Sequence, residues 1–298
     1  MVYAFLKALS DRNSYPKAIN SLKSQVDHVY CAVDKEVDYQ DDKVTFFITG
    51  NENADLDKFL IISKVVLKHN DHVFLCDDDL IYPEDYVEHT LKLSKKHQSH
   101  LLTYGGSQIV NLPMASYYKD KLTFGIWKKR DEVFTVHFPY TGVFYFRYTK
   151  SLKPFIDALI TKGDTHLPFA SDIVVGTLLG GLKWHSLCVS PKEDGWFKHI
   201  KIDMSCTIYE SFKEKDFDQT KLINDNAELF TPLGLKFPQV FLDVAVVSSR
   251  RRANTDFLKQ CLDSIHGQIY PFYNIILIDN DYQIRTIGKC FNEIMGSG

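Results

Sequence analysis

The feature that most constrains the fold is a short apolar run that ends in three consecutive aspartates, His72-Val73-Phe74-Leu75-Cys76-Asp77-Asp78-Asp79. Its Val, Phe and Leu side chains predict a buried strand, and the Tyr82-Pro83 pair beyond it marks a turn. Because burying three anions is very costly, we expect the aspartates where the strand emerges from its sheet. In an open α/β sheet that edge lines a ligand crevice, where carboxylates suit a divalent cation with a phosphorylated substrate. The alternative is a solvated acidic turn.

Length and composition restrict the class of protein. At 298 residues, the chain can form one large domain or one domain with part of another. Its 45% hydrophobic and 24% charged residues indicate a soluble globular protein with ample material for a core. A net charge of −3 gives no electrostatic argument for binding nucleic acid or an anionic membrane.

Targeting signals and cysteines bear on the compartment. No apolar run approaches the roughly 18 residues that a membrane span needs, and residues 1–7 lack a basic region before their apolar part. The six cysteines are scattered without C-x-x-C spacing. This pattern predicts reduced, mostly buried thiols rather than a zinc ribbon or a disulfide framework. We expect a cytoplasmic protein without a membrane span, either free or at the inner face of the membrane.

The N-terminal pattern predicts a β-α-β unit. Residues 2–9 and 29–33 have the apolar composition of strands, and a helix opens between them at Pro16. Polar residues follow both strands, namely Ser10, Arg12 and Asp34. Such a unit places a nucleotide over the sheet edge, although Asp34 can equally cap the next turn.

The middle of the chain continues this alternation. Strands are predicted at residues 44–48, 101–104, 140–147 and 184–189, and helices at 55–68, 84–96 and 172–181. The helix over residues 55–68 is expected to turn Phe59, Ile62 and Val66 toward the core. Residues 107–139 are rich in aromatic residues and have no decisive periodicity. Exposed rings stack well on sugar faces, but most aromatic rings in proteins lie in the core.

The opening pattern recurs near the C-terminus. Residues 244–249 and 275–278 predict strands, and a helix between them holds Cys261, Ile265 and Gln268. A second β-α-β module therefore begins near residue 241. The expected organisation is a domain over residues 1–205, a polar connector over 206–240 and an incomplete second module over 241–298, as in a fragment of a longer tandem chain.

A family resemblance enters through the aspartate segment. Phe74-Leu75-Cys76-Asp77-Asp78-Asp79-Leu80-Ile81-Tyr82-Pro83-Glu84-Asp85-Tyr86 resembles the D-x-D segment of GT-A glycosyltransferases, specifically bacterial relatives of family 2, and residues 244–281 resemble the beginning of such an enzyme. The resemblance implies an α/β fold of the GT-A type, with a Rossmann-like, mostly parallel sheet flanked by helices. It also implies transfer of a sugar from a nucleotide-diphosphate sugar, with UDP as the expected nucleotide, to a glycan or other hydroxyl acceptor with inversion.

The resemblance further implies roles for individual residues. Asp77, Asp79 and His199 would bind Mn²⁺ or Mg²⁺. The residues expected to contact the donor are Ser10, Arg12, Asp34, Lys58, Asp77 and Asp78. Asp172 would be the general base that deprotonates the acceptor hydroxyl, and Gly142 matches a small residue that permits close approach of the transferred sugar.

Several of these residues have ordinary structural alternatives. Asp172 can be a helix N-cap, which would lower its pKa and weaken it as a base. In that case Asp194 and Glu193 are the next candidates. Lys58 can be an exposed helix lysine, and His199 can be one of eleven histidines without a special role.

Two rival functions fit the same scaffold. One is a sugar-1-phosphate nucleotidyltransferase, which would need a glycine-rich, basic loop after the first strand. Residues 9–13 contain no glycine, and this argues against that function. The other rival is a non-catalytic module of a tandem transferase that binds carbohydrate or nucleotide.

Overall fold

A computed structural model describes residues 1–50, 54–97, 99, 101–149, 152–163, 171–201, 216–230, 242–248, 273–279 and 283–286. The chain divides into two compact units, Met1–Lys236 and Phe237–Gly298. None of the helices in these described ranges has the length and apolarity needed to cross a membrane.

The first unit contains thirteen strands and six α-helices within the described ranges. The strands are β1 (Val2–Ala8), β2 (His28–Val33), β3 (Val44–Ile48), β4 (His72–Asp77), β5 (Leu80–Ile81), β6 (Leu101–Thr103), β7 (Gly106–Ile109), β8 (Lys121–Phe124), β9 (Phe134–Val136), β10 (Phe138–Pro139), β11 (Val143–Arg147), β12 (Ser186–Cys188) and β13 (Lys198–His199). The helices are α1 (Tyr15–Leu22), α2 (Asp57–Leu60), α3 (Tyr86–His97), α4 (Lys153–Gly163), α5 (Ser171–Gly181) and α6 (Asp216–Asn224), with 3₁₀ turns at Ala54–Leu56, Ile61–Lys64 and Ala227–Leu229.

Eight strands form the main sheet, in the order β3-β2-β1-β4-β11-β6-β12-β9. The first four are parallel to one another, β11 runs antiparallel between β4 and β6, and β12 is parallel to β6. Only β11 and the edge strand β9 oppose the other six. The mixed α/β architecture with a mostly parallel sheet is therefore confirmed.

The sheet buries both of its faces, as its nearly continuous apolar strands require. In β1, Ala4 and Leu6 point to the face covered by α1 and α3, whereas Phe5 points to the face covered by α2, α4 and α5. A third apolar cluster joins Ile173 of α5 to Ile223 of α6 and to Phe230. Residues 216–230, which lie in the predicted connector, thus pack as part of the first unit.

The continuous helix predicted over residues 55–68 is wrong. A 3₁₀ turn, the short α2 and a second 3₁₀ turn follow one another, and the chain becomes extended at Val65. Val66 is 84% exposed instead of core-facing. The β-branched residues from Ile61 onward lose side-chain freedom in a helix and favour this early end.

The aromatic region contains β7 to β10, of which β10, β7 and β8 form a small antiparallel sheet. Tyr117 and Phe138 are buried, whereas Tyr118 and Trp127 are exposed. The partly exposed Phe124 and Phe134 stack at 4.3 Å between ring centroids. Of the predicted buried thiols, Cys31, Cys76 and Cys188 lie in the described residues, where all three are buried and free.

The second unit is described by three strands, β14 (Leu242–Ser248), β15 (Tyr273–Asp279) and β16 (Gln283–Thr286). β14 and β15 are parallel, with Val244 opposite Ile275, and β16 is antiparallel to β15. The second module stays a prediction, since the helix predicted around Cys261 to Gln268 lies outside the described residues.

Candidate active site

The polar residues predicted for the site gather at one edge of the main sheet. β1, β2, β3 and β4 are parallel and end at this edge, and the antiparallel β11 begins there, with Val143 opposite Cys76. The carboxyl ends of parallel strands therefore bring together Ser10, Asp34 and Asp77, and β11 adds Thr141 to them.

The turn after β4 is fixed by Tyr82. The Tyr82 hydroxyl accepts a hydrogen bond from the Asp77 backbone N–H at 2.7 Å and donates to the Gly142 carbonyl at 2.7 Å. Tyr82 is buried, and its hydroxyl thus joins the end of β4 to the residue before β11. Sequence reasoning treated Tyr82 only as a turn residue.

Asp79 and His199, two of the predicted metal ligands, lie close together. The two-residue strand β13 pairs with β5, and this pairing brings His199 Nε2 to 3.4 Å from Asp79 Oδ2. Burial and the neighbouring Asp77 raise the pKa of Asp79 to about 6, while His199 lowers it. Both side chains remain partly exposed.

The side chains around Asp79 could supply a few ligands to a divalent cation. Among the residues that the structure describes, Asp79 Oδ1 is buried and has no hydrogen-bond partner, and a cation would satisfy it. However, Asp77 Oδ1 already contacts Lys58, and no group of three metal-binding side chains converges within the described residues. Mg²⁺ and its relatives commonly use one or two carboxylates together with substrate phosphates. The residues therefore fit a cation held mainly by Asp79 and His199, with further ligands from a nucleotide.

Asp78 faces the protein interior, not the crevice. Its oxygens lie 3.5 Å from Arg12 Nη1 and 3.3 Å from Ser14 Oγ, and the residue is 5% exposed. Burial raises the pKa of Asp78 to about 7, and the Arg12 guanidinium opposes this shift. Asp78 and Arg12 were predicted to contact the donor, but this geometry makes them a link that holds the loop after β1 against the turn after β4.

Asp34 also supports the loop after β1. Its Oδ1 accepts the Ser10 backbone N–H at 2.7 Å. Burial alone would raise the pKa of Asp34, but the hydrogen bonds from Ser10 outweigh it and lower the pKa. Asp34 is therefore an anion at the sheet edge and is partly exposed.

Lys58 is a buried lysine rather than an exposed one. Its side chain is 0% exposed, and Nζ lies 2.9 Å from Asp55 Oδ1 and 3.0 Å from Asp77 Oδ1. A third contact reaches the Thr141 carbonyl at 3.4 Å. Burial would lower the pKa of Lys58, but the carboxylates of Asp55 and Asp77 outweigh it and raise the pKa. The ammonium is thus a fixed positive charge beneath the D-x-D turn.

Asp172 does not cap its helix, because α5 already begins at Ser171. Its Oδ1 instead accepts from the Thr141 backbone N–H at 2.9 Å and lies 3.0 Å from the Thr141 hydroxyl. Among the described residues, no hydrogen bond ends on Oδ2. Burial and the nearby Asp55 raise the pKa of Asp172 to about 6, while Thr141 and Lys58 lower it. The side chain keeps partial exposure.

Three contributing residues were missed by sequence reasoning: Asp55, Thr141 and Ser171. Ser171 Oγ contacts Asp55 Oδ2 and lies 2.8 Å from the Thr141 hydroxyl. Asp55 could have been noticed as an i,i+3 partner of Lys58. The sequence carries no local signal for the other two.

Gly142 serves a different neighbour from the one predicted. A Cβ at this position would overlap the Asp77 carboxylate and approach the Tyr140 ring. Its missing side chain thus makes room for Asp77, whereas the resemblance implied space for the transferred sugar.

An exposed ring lies near the Asp79–His199 pair. Trp127 is 43% exposed, and its ring centroid is 6.1 Å from that of His199. The Trp127 carbonyl accepts the Gly195 N–H at 2.8 Å, so its loop is fixed. Asp194, one of the substitute bases, precedes Gly195 on the exposed loop after β12 and accepts the Lys129 backbone N–H.

Comparisons with known proteins were made by sequence and by structure. No family model matches the chain, and no curated protein matches it either. Similar solved structures include S. aureus TarS 1-349 in complex with UDP-GlcNAc, at 14% identity and a TM-score of 0.47, with 76% of this chain and 66% of that chain covered. S. aureus TarS 1-349 alone gives 12% identity and a TM-score of 0.40, with 65% and 59% covered. The chain thus spans less than two thirds of either TarS structure.

Proposed function

We propose that the first unit is a metal-dependent glycosyltransferase that moves a sugar from a nucleotide-diphosphate sugar to a hydroxyl of a glycan or other acceptor, with inversion. The observation that supports this most is that Asp77, Asp79 and Asp172 gather at one sheet edge, where Lys58 and Thr141 connect Asp77 to Asp172. Sugar transfer from a diphosphate needs a base for the acceptor hydroxyl and a site for the leaving diphosphate. Asp172, on whose Oδ2 no hydrogen bond ends among the described residues, and the acidic turn after β4 can supply them.

The nucleotide would lie over the loop after β1. Asp34 is ionised there and can accept hydrogen bonds from a ribose hydroxyl or a base N–H. Arg12 and Asp78 hold the loop in place from beneath. A UDP-sugar is the donor class that the D-x-D resemblance implies.

Asp79 and His199 would hold Mn²⁺ or Mg²⁺ together with the diphosphate. When bound, the cation neutralises the charge that builds on the leaving diphosphate. Lys58 keeps Asp77 oriented beside this turn, and Tyr82 holds the turn itself.

Asp172 would take the proton from the acceptor hydroxyl through Oδ2. With a pKa of about 6 it is ionised at neutral pH, yet it is more basic than an ordinary aspartate. The acceptor oxygen then bonds to the anomeric carbon as the bond to the diphosphate oxygen breaks, and attack from the opposite face inverts the configuration. Trp127 offers an exposed ring on which an acceptor sugar can stack.

The test is donor hydrolysis and transfer with a panel of nucleotide sugars, beginning with UDP-linked ones such as UDP-GlcNAc, with Mn²⁺, Mg²⁺ or EDTA. We expect turnover that EDTA removes, and an Asp79→Asn variant that melts like the wild type but loses the metal response. Asp157→Asn, at an exposed ion pair on α4, is the matched control. Nucleotide binding without hydrolysis or transfer would identify a binding module instead, and turnover in EDTA would refute the metal assignment.

A further inference from the structure

A continuous chain of polar contacts connects the D-x-D turn to the candidate base. It runs from Asp77 to Lys58, then to Asp55 and Ser171, and from there through Thr141 to Asp172. Its members come from four separate places in the sequence. Asp55 stands in the middle, because one of its oxygens meets Lys58 and the other meets Ser171.

The ammonium of Lys58 has three N–H groups, and three acceptors surround it: Asp55, Asp77 and the Thr141 carbonyl. All of them belong to the site. Since Lys58 is fully buried, the direction of its N–H groups is fixed by these acceptors. A change at Asp55 would therefore move the charge that faces Asp77.

The same contacts indicate the direction of the hydrogen bonds that the two hydroxyl groups make. If Ser171 donates to Asp55, its oxygen is free to accept from Thr141 at 2.8 Å. The single Thr141 hydroxyl proton then has two acceptors, Ser171 Oγ and Asp172 Oδ1 at 3.0 Å. It can donate to Asp172 while that carboxylate is ionised and turn to Ser171 once Asp172 has taken up a proton.

We infer that Asp55 is a positioning residue that orients Lys58 toward Asp77 and, through Ser171 and Thr141, holds Asp172 ready to accept a proton. This inference rests on the proposed function, since it assigns Asp172 the role of base. Asp55 itself touches neither substrate nor cation in this scheme.

The charges around Asp172 give the inference a measurable signature. Asp55 raises the pKa of Asp172, and Lys58 opposes it. Tyr117 and Tyr140 also face Asp172, and burial raises the pKa of both phenols, so both stay neutral near pH 7. Removing the negative charge of Asp55 should therefore shift the acid limb of turnover toward lower pH.

The experiment compares Asp55→Asn and Ser171→Ala with the wild type and with Asp157→Asn. For both site variants we expect kcat to fall about 10- to 100-fold, the scale of a small misplacement of reacting groups, with a donor KM within about threefold of the wild type. Asp55→Asn should also shift the acid limb of kcat to lower pH. Asp157→Asn should match the wild type in both measurements.

The outcomes separate the inference from the proposed function. If the wild type turns over no donor, the proposed function fails and the inference fails with it. If the wild type is active and folded Asp55→Asn keeps its kcat and acid limb, only the inference is overturned. If Asp55→Asn does not fold, Ser171→Ala decides: reduced kcat at an unchanged melting temperature supports the inference, and an unchanged kcat overturns it.

Discussion

Two buried lysines at the same sheet edge form similar ion pairs in different surroundings. Lys7 and Lys58 are 8% and 0% exposed, and each pairs with an aspartate from the short helical segment before β4. Lys7 Nζ lies 2.6 Å from Asp57, and Lys58 Nζ lies 2.9 Å from Asp55. The two aspartates are separated by one residue.

The difference lies in what each network reaches. The Lys7 network, which consists of Lys7, Thr49, Gly50 and Asp57, is centred on Asp57, which is 0% exposed. The Lys58 network ends on Asp77 and Asp172, which keep partial exposure at the candidate site. Both networks thus bury their cation, and they differ in the exposure of the carboxylates that pair with it.

The largest expected effect is a loss of turnover when Asp172, at one end of the Lys58 network, is replaced. Asp172→Asn should lower turnover by roughly 10²- to 10⁴-fold, the range for a lost general base. Its stability should change little, because the Asn carbonyl can still accept both bonds from Thr141. Stopped assays of transfer and thermal melts measure the two quantities. Full activity in the variant would direct the search to Asp194 or Glu193.

The pH dependence of turnover tests the same assignment of Asp172. A base with a pKa of about 6 is lost as the pH falls through 6, so wild-type turnover should decline below that value. The raised pKa also means that the folded state holds this proton more tightly, so this group makes folding more favourable as the pH falls from about 6 toward 4. Asp79 titrates in the same range; the part of the limb that disappears in Asp172→Asn belongs to Asp172.

Asp57→Asn is the corresponding change in the Lys7 network. Leaving the Lys7 ammonium buried without its counterion should lower the free energy of unfolding by about 3–5 kcal/mol. Turnover per folded molecule should stay near that of the wild type. Urea unfolding followed by tryptophan fluorescence gives the first quantity, and active-site titration gives the second. A stable but inactive Asp57→Asn protein would reverse the comparison.

Two glycines, one beside each network, should give smaller differences in stability and donor affinity. Gly142→Ala places a Cβ against the Asp77 carboxylate and should cost about 1–3 kcal/mol as overpacking, with weaker donor binding. Gly50→Ala meets no neighbour, but its φ of 71° disfavours a side chain, at a cost of about 1 kcal/mol. Donor titration by calorimetry should separate them, because only Gly142→Ala changes affinity. Equal donor affinity in both would contradict the role given to Gly142.

The smallest contrast uses two threonines. Thr49 donates to Asp57 at 2.9 Å, and Thr141 has the corresponding place beside Asp172. Each Thr→Val change should cost about 1 kcal/mol of stability through a lost hydrogen bond. Only Thr141→Val should also lower kcat, by about tenfold for a misplaced base. Loss of turnover in Thr49→Val would show that the Lys7 network also serves the site.

The parts predictable from sequence are those with local causes. The apolar run of β4 is read from adjacent residues, and the strand lies where it was predicted. The burial of Lys58 is not local, because its acceptors Asp77 and Thr141 are 19 and 83 positions away. The same holds for Ser171, which meets Asp55 across 116 positions.

Two interpretations of the sequence, for Asp172 and for Asp78, differ from the structure for physical reasons. An acidic residue before an apolar helix is typical of an N-cap, but Asp172 lies inside the first turn, where the Thr141 N–H competes for its oxygen. Asp78 looks like its two neighbours in sequence. Arg12 and Ser14, brought in by the loop after β1, draw it inward.

The two-residue pairing of β5 with β13 lies outside the main sheet, but it positions a residue of the candidate site. The main sheet receives its last strand with β12, which ends at Cys188, whereas His199 follows on β13. A shortened chain that ends between these positions would keep every strand of the main sheet and still lack the partner of Asp79. The smallest fragment that preserves the sheet is therefore shorter than the smallest one that can be expected to work.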